Sequence, residues 1–325
     1  MTTLLLTHPV CLEHEPPRGH PERPDRLRAV NAVLNHEVFA ALTREEAPMG
    51  RRDDVVRTHE MRYVDMIEKS SPEEGREPLD ADTWMSPASL EATYACVGAA
   101  IRGVDAVMNG EFDNVFCATR PPGHHAERNR AMGFCLFNAA AVAAQYARAQ
   151  FGAERIAVVD FDVHHGNGTQ DIFWSDRDFF YGSTHQMPLY PGTGAESETG
   201  VGNICNAPLR PGDGGREFRD RMRNRVLPAL KNFHPDLVIV SAGFDAHRDD
   251  PLGGLEFDEA DFAWATLNLM EAADRHCSGR LVSVMEGGYD LKGLAGSVAV
   301  HVQALMRGTG EVTAPHVEDE VSDGD

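Results

Sequence analysis

Residues 155–168 read R-I-A-V-V-D-F-D-V-H-H-G-N-G. A continuous apolar run such as Ile156 to Val159, closed by polar and glycine-rich chain, is the pattern of a parallel strand buried on both faces. Five more runs share it: TLLLTH near Thr3, NVFCATR from Asn114, DFFYGSTH from Asp178, DLVIVSAG from Asp236 and RLVSVMEG from Arg280. Helical patterns fall between them, at Pro87 to Val107 with Ser86 as the expected cap, Ala139 to Phe151, Arg216 to Phe233 and Asp258 to His276. The last opens with Asp and Glu, as a helix N-terminus should. This alternation predicts a single α/β domain with a central, mostly parallel sheet and helices on both faces. The loops rich in Gly, Pro and His follow the strands, and in open α/β sheets ligands gather outside the strands' carboxyl ends.

The 325 residues, 42% hydrophobic, are enough to bury a large core, which excludes a disordered chain or a disulfide mini-scaffold. The formal charge of −21 disfavours nucleic acid and anionic membrane surfaces, both of which need Lys and Arg to neutralise phosphate. Six acids lie beyond Arg307, so residues 1–307, the expected catalytic domain, carry −15, and 308–325 form an acidic tail. The six cysteines contain no C-x-x-C pair and fit a reduced, cytoplasmic setting as buried thiols. MTTLLLTHPV lacks the basic start of a signal peptide, and no apolar stretch approaches the roughly 20 residues needed to span a bilayer.

In D-F-D-V-H-H-G-N-G, residues two apart at a strand end point to the same side, so Asp160, Asp162 and His164 can converge. A carboxylate and an imidazole suit a divalent metal, although D-x-H alone is equally a structural pair. Asp245, just past the strand DLVIV in SAGFDAHRDDP, is a natural third ligand. Three protein ligands leave an open position for water, the pattern of a catalytic metal. R-P-P-G-H-H, 120–125, places adjacent histidines on a turn, where a polar pocket is favoured over burial without partners. One carboxylate behind each would fix its tautomer. In E-G-G-Y-D, 286–290, two glycines allow a tight turn that swings Tyr289 toward the same locus.

Together with H-P-E-R-P-D-R (20–26), G-F-C-L-F-N (133–138) and Y-P-G-T-G (190–194), these motifs resemble the zinc-dependent histone deacetylase family, within the arginase/deacetylase fold. The likeness runs through most of the chain and leans toward the class II branch and its bacterial relatives, because class I members usually carry Asp where this chain has Asn167. Asn167 cannot be a buried anionic partner, so His125 is expected to protonate less readily than in class I relatives.

The resemblance implies that Asp162, His164 and Asp245 hold one Zn²⁺ per chain and that Tyr289 donates its hydroxyl to the scissile carbonyl oxygen. It implies His125 as general base, with His124, backed by Asp160, as electrostatic stabiliser, and Gly133 offering its carbonyl to the substrate amide. Phe134, Tyr190 and Leu252 then wall a tunnel, and Arg26 lines an inner channel for acetate. A structural K⁺ or Na⁺ is implied at Asp160, Asp162, His164, Ser183 and Thr184, with a second, less well matched, around Phe173, Asp176, Phe179 and Asn203. Such an oxygen-rich metal site also accepts Fe²⁺ or Co²⁺.

The expected reaction is hydrolysis of an N-acetyl amide on an acyl-lysine peptide or protein, or on an acetylated small amine such as an acetylpolyamine. Leu252 stands where one polyamine-selective branch has Glu, while Glu13 and Glu15 keep a cationic amine in play. A binuclear arginase-like hydrolase would need further carboxylates near the metal, and positions 166 and 247 are Gly and His. An inactive acyl-lysine binding module is the remaining alternative. The motifs set no oligomeric state and leave a homo-oligomer open.

Overall fold

The computed structural model describes residues 1–307; the acidic tail lies outside them. Eight strands form one sheet: β1 Thr3–Thr7, β2 Thr43–Glu46, β3 Asn114–Cys117, β4 Ile156–Asp160, β5 Phe179–Gln186, β6 Ile204–Leu209, β7 Leu237–Ala242 and β8 Leu281–Met285. Their order is β2-β1-β3-β8-β7-β4-β5-β6, and every pairing is parallel. The six strands expected from apolar runs occupy the six interior positions. The two unforeseen strands are the edges: β2 is the polar TREE, and β6 carries Pro208. An edge strand need not be apolar on both faces and can tolerate a proline, so neither reads as a buried strand.

Helices cover both faces; the first two longer ones in the chain are α1 (Pro24–Leu34) and α2 (Met61–Lys69). Gly103 of α3 (Ser89–Met108) lies so close to the sheet that a Cβ there would meet Val282 and Val115. On the opposite face, His301 of the last helix, Leu291–Arg307, packs on Phe116 and hydrogen-bonds Ser283. Because successive strand residues face opposite ways, these contacts put the two helices on different sides. Helix α4 (Ala139–Phe151) packs beside α3, while Glu259–Cys277 and Pro24–Leu34 pack on Leu291–Arg307. No helix of the described residues is long and apolar enough to cross a membrane.

Local chemistry sets the helix ends. The Asn138 side chain accepts from the Ala141 N–H at 2.9 Å and starts α4, and Gly152, at φ +66°, ends it. The Asp261 carboxylate accepts the Asp258 N–H at 3.1 Å and so caps the start of Glu259–Cys277 from within its first turn. Ser86, expected to cap α3, does not: that helix begins at Ser89, and the Ser86 hydroxyl accepts from the Glu15 N–H at 3.0 Å. The helix expected over 216–233 contains one wide π turn, Met222–Val226, between Gly215–Arg221 and Leu227–Phe233. Pro228 has no N–H for the regular ladder, which accounts for a bulge at this point.

The strands at the sheet centre end level with one another. Cys117, Val284, Ser241 and Asp160 are laterally paired, so four loops leave β3, β8, β7 and β4 at the same height. Those loops carry RPPGHH, EGGYD, SAGFDAH and DFDVHH.

Candidate active site and metal centre

Asp162, His164 and Asp245 meet above β4 and β7, with one ligand atom of each within 4.8 Å of the others. Among the described residues this is the one such group. His164 Nδ1 stands 3.1 Å from both Asp162 Oδ1 and Asp245 Oδ2. Those separations are close to the roughly 3.3–3.6 Å edges of a tetrahedral ion with bonds of ~2.0–2.2 Å, so the donor set fits a divalent metal such as zinc. Space for the carboxylates depends on glycine: a Cβ at Gly287 would lie 2.1 Å from Asp245 Oδ2 and 2.6 Å from Asp162 Oδ2. The Gly287 N–H donates to Asp162 Oδ2 at 2.8 Å, and the Val163 N–H to Asp245 Oδ1 at 2.8 Å. Each carboxylate is therefore aimed by a backbone donor on its outer oxygen.

Burial raises the Asp245 carboxyl, with the Asp162 charge beside it, to about 7. Against the same burial, the charges of His124 and His164 hold Asp162 below the usual carboxylate range. His164 is pushed up to about 10, burial being outweighed by its bonds to the two aspartates.

The adjacent histidines face one another at 4.1 Å between ring centroids, yet their environments are opposite. His124 Nδ1 pairs with Asp160 Oδ2 at 2.9 Å, and Tyr181 OH donates to the same oxygen at 3.0 Å. Burial alone would lower His124, but Asp162, Asp160 and Glu286 raise it well above the ordinary histidine value. Burial and the neighbouring charges of His124 and His164 push His125 well below it. The two rings are thus driven in opposite directions, His124 toward its charged form by Asp160 and Asp162 and His125 toward its neutral form.

His125 Nδ1 donates to Asn167 Oδ1 at 2.8 Å, so the expected carboxylate behind each histidine holds for His124 alone. A carboxylate does stand one step further back, since Asn167 Nδ2 donates to Glu127 Oε1 at 2.7 Å. The amide passes the pull of Glu127 to His125 Nδ1–H and leaves Nε2 as the acceptor.

Glu286, unassigned in the sequence, holds this turn from beneath. Its Oε2 accepts the N–H groups of Gly123 and His124 at 2.7 and 3.2 Å, and its Oε1 takes the Ser241 hydroxyl at 3.0 Å.

A cavity of about 220 Å³ reaches this locus, lined by His125, Gly133, Phe134, His164, Tyr190, Leu252 and Tyr289 together with Asp82 and Leu189. The last two were missed, and Glu13 and Glu15 are not among the lining residues. Asp82 Oδ1 accepts the Gly133 N–H at 3.1 Å and so anchors the wall. Gly133 has φ +57°, and a Cβ there would lie 2.4 Å from His125 Cδ2, so no other residue fits.

Tyr289 packs edge-on against Phe134, and burial raises its phenol well above the ordinary value, keeping it a proton donor. Arg26 lies behind it rather than along the cavity. Its guanidinium is 4.7 Å from the Tyr289 ring centroid and donates to the carbonyls of Gly288 and Glu286 at 2.6 and 2.5 Å. It also bonds the fully buried Glu22, which is shared with Arg120 and His14.

Of the monovalent-cation residues, Asp160, Asp162 and His164 belong to this cluster, Ser183 Oγ bonds His185 Nδ1 at 2.8 Å, and the buried Thr184 hydroxyl lacks a hydrogen-bond partner. At the second set, the carbonyls of Phe173, Asp176 and Phe179 converge on Asn203 Nδ2, at 2.9, 3.1 and 2.6 Å.

Comparison with known proteins matches residues 20–305 to the histone deacetylase domain family. The chain is 41% identical to an uncharacterized protein of Synechocystis sp. over 300 residues, 91% of this chain and 96% of that one. It is 40% identical to the histone deacetylase-like amidohydrolase of Pseudomonas aeruginosa over 292 residues, 87% of this chain and 77% of that one. The crystal structure of the HDA15 HD domain matches with a TM-score of 0.89 at 34% identity, covering 98% of this chain and 92% of that one.

Proposed function

The chain belongs to the histone deacetylase family and is a hydrolase, and from this premise we propose that it cleaves the N-acetyl amide of an acetylated lysine side chain or alkyl amine with one zinc ion. The observation that carries the reading is the pairing of His124, bonded to Asp160, with His125, bonded to the neutral Asn167, beside the Asp162–His164–Asp245 donor set at the end of a cavity walled by Phe134 and Tyr190. Those three residues would hold the zinc. When bound, it polarises the substrate carbonyl and acidifies water.

His125 Nε2 takes a proton from the attacking water, with Asn167 and Glu127 steadying Nδ1–H, and later returns it to the leaving amine. His124 and Asp160 contribute fixed charge beside the reacting atoms. Tyr289 donates its hydroxyl to the carbonyl oxygen, and the Gly133 carbonyl accepts the substrate amide N–H. Phe134, Tyr190 and Leu252 enclose the alkyl chain. Arg26 steadies the Tyr289 turn from behind, toward the side where acetate would leave. Asp160, Asp162, His164, Ser183 and Thr184 would hold a structural K⁺ or Na⁺.

A free acetylated amine is a second reading, favoured by the Asp82 carboxylate on the cavity lining. Turnover of acetyl-lysine peptides, N-acetylputrescine and N-acetylcadaverine, compared as kcat/KM, separates the two. His125→Ala and Tyr289→Phe should keep one equivalent of metal and lose about 10²-fold or more in kcat, while Asp245→Ala loses the metal. Full activity in either of the first two variants would refute the roles of His125 as base and Tyr289 as donor.

A further inference from the structure

Asp250 lies in the loop between the metal-ligand candidate Asp245 and the wall residue Leu252, and it is 6% exposed. Both of its carboxylate oxygens are committed to backbone donors. Oδ1 accepts the Leu252 N–H of its own loop at 3.0 Å. Oδ2 accepts from the β8 loop, taking the Tyr289 N–H at 2.6 Å and the Asp290 N–H at 3.2 Å. One side chain thus ties the loop that walls the cavity to the loop that bears the phenol.

We propose that Asp250 is the positioning residue for Tyr289, fixing the phenol relative to Leu252 by clamping the two loops through one carboxylate. This rests on the reading of Tyr289 as the donor to the carbonyl oxygen. A carboxylate suits the place because all of its oxygen lone pairs accept, whereas the three surrounding groups are all N–H donors. The Tyr289 and Asp290 amides stand just ahead of the helix Leu291–Arg307, where the aligned peptide dipoles favour a negative charge. Asp290 in turn accepts the Gly293 N–H at 2.7 Å and starts that helix. The rest of the turn is fixed independently, Gly287 by Asp162 and Gly288 by Arg26, so the bond at the tyrosine's own amide is the one that Asp250 alone supplies among these.

Asparagine is nearly isosteric but has a single acceptor oxygen. In Asp250→Asn the amide nitrogen must face an N–H group on one side, either at Leu252 or at Tyr289, and one loop is released. A displacement of about 1 Å at a reacting group can cost on the order of 10²-fold in rate. The experiment is a kinetic cycle on the zinc-loaded enzyme with an acetyl-lysine peptide: wild type, Asp250→Asn, Tyr289→Phe and the double variant.

The expected result for Asp250→Asn is a fall of about 10²-fold in kcat, with KM little changed and metal content intact. Added to Tyr289→Phe, it should cause no further loss, because the group it positions is gone. Wild-type kcat in Asp250→Asn, or the same loss in both backgrounds, would overturn the proposal; the second outcome would mean that Asp250 acts through the fold or the metal. Wild-type activity in Tyr289→Phe would instead sink the tyrosine's role and this inference with it. Should Asp250→Asn fail to fold, Asp250→Ser, which keeps one short acceptor, is taken through the same cycle with the same criteria.

Discussion

Replacing Asn167 with aspartate would give His125 the direct carboxylate partner found in class I relatives, yet in this chain the exchange should destabilise the protein. Asn167 Nδ2 donates to Glu127 Oε1 at 2.7 Å, so an aspartate oxygen in its place would face another carboxylate oxygen across that distance. Two full charges so placed repel by roughly 6 kcal/mol at an effective dielectric of about 20. Protonating one of them is cheaper, at ~1.4 kcal/mol per pH unit above a carboxyl pKa near 4.3, or roughly 3.7 kcal/mol at pH 7. Glu127 is only half-buried and can swing toward water, which leaves a loss of about 2 kcal/mol, or a Tm lowered by roughly 3 °C for a chain of this length. The sign with pH follows from proton counting. The paired carboxyl titrates higher in the folded than in the unfolded chain, the folded state binds more protons between those two pKa values, and stability therefore falls as pH rises through that window. Thermal melts from pH 5 to 8 should show Asn167→Asp diverging from wild type as pH increases. Adding Glu127→Gln, whose amide can donate to the new aspartate, should close the gap. Equal melting of Asn167→Asp and wild type at pH 8, or no recovery in the double variant, would refute the account of Glu127 as the acid behind Asn167.

Two further outcomes are expected. Glu22 is fully buried between Arg26, Arg120 and His14, and Arg120 with His14 holds its carboxyl well below the usual range against the upward pull of burial. Glu22→Gln strips two buried guanidiniums of their counter-charge and should cost about 3–5 kcal/mol in a denaturant melt at neutral pH. Because the folded pKa is depressed, this contribution is full above the unfolded value near 4.3 and shrinks as pH falls below it, so a difference that grew on acidification would contradict the assignment. Chelation should abolish turnover and lower Tm, with zinc restoring both; at a free zinc concentration a thousand times Kd the stabilisation is ~4 kcal/mol. A chelated protein that melts with the zinc-loaded form would argue against Asp162, His164 and Asp245 as the ligands.

The fold was legible where two-sided burial leaves a compositional trace. β4 and β7 are buried along their whole length, so their sequences carry apolar runs that need no context to read. β2 was silent because TREE has one exposed edge and pairs only with β1. Ser86 shows the other limit: it is a good capping residue by type, but the neighbouring loop around Glu13 and Glu15 competes for its hydroxyl and wins. Competition of that kind is tertiary and leaves no mark within the helix's own sequence.

At the site, the residues that were legible are those whose types are demanded by chemistry. A metal wants carboxylates and imidazoles, and a spacing of two at a strand end brings Asp162 and His164 to one side. The residues that were not legible act on backbone. Glu286 holds the N–H groups of Gly123 and His124, Asp250 those of Leu252, Tyr289 and Asp290, and Asp82 that of Gly133. Every residue but proline offers the same N–H, so such a partner has no signature at the receiving end, and the donor and acceptor lie up to 163 positions apart. Asn167 is the intermediate case. Its type was read as neutral, and what the sequence did not show is that Glu127, two residues beyond the histidine itself, reaches the far side of the amide. A neutral relay with an acid behind it differs from a direct acid in what it does under titration: the amide transmits polarisation but cannot take the proton. His125 can therefore be held in one tautomer without gaining the full charge stabilisation that would make it an imidazolium, which is the state a general base must avoid before it acts.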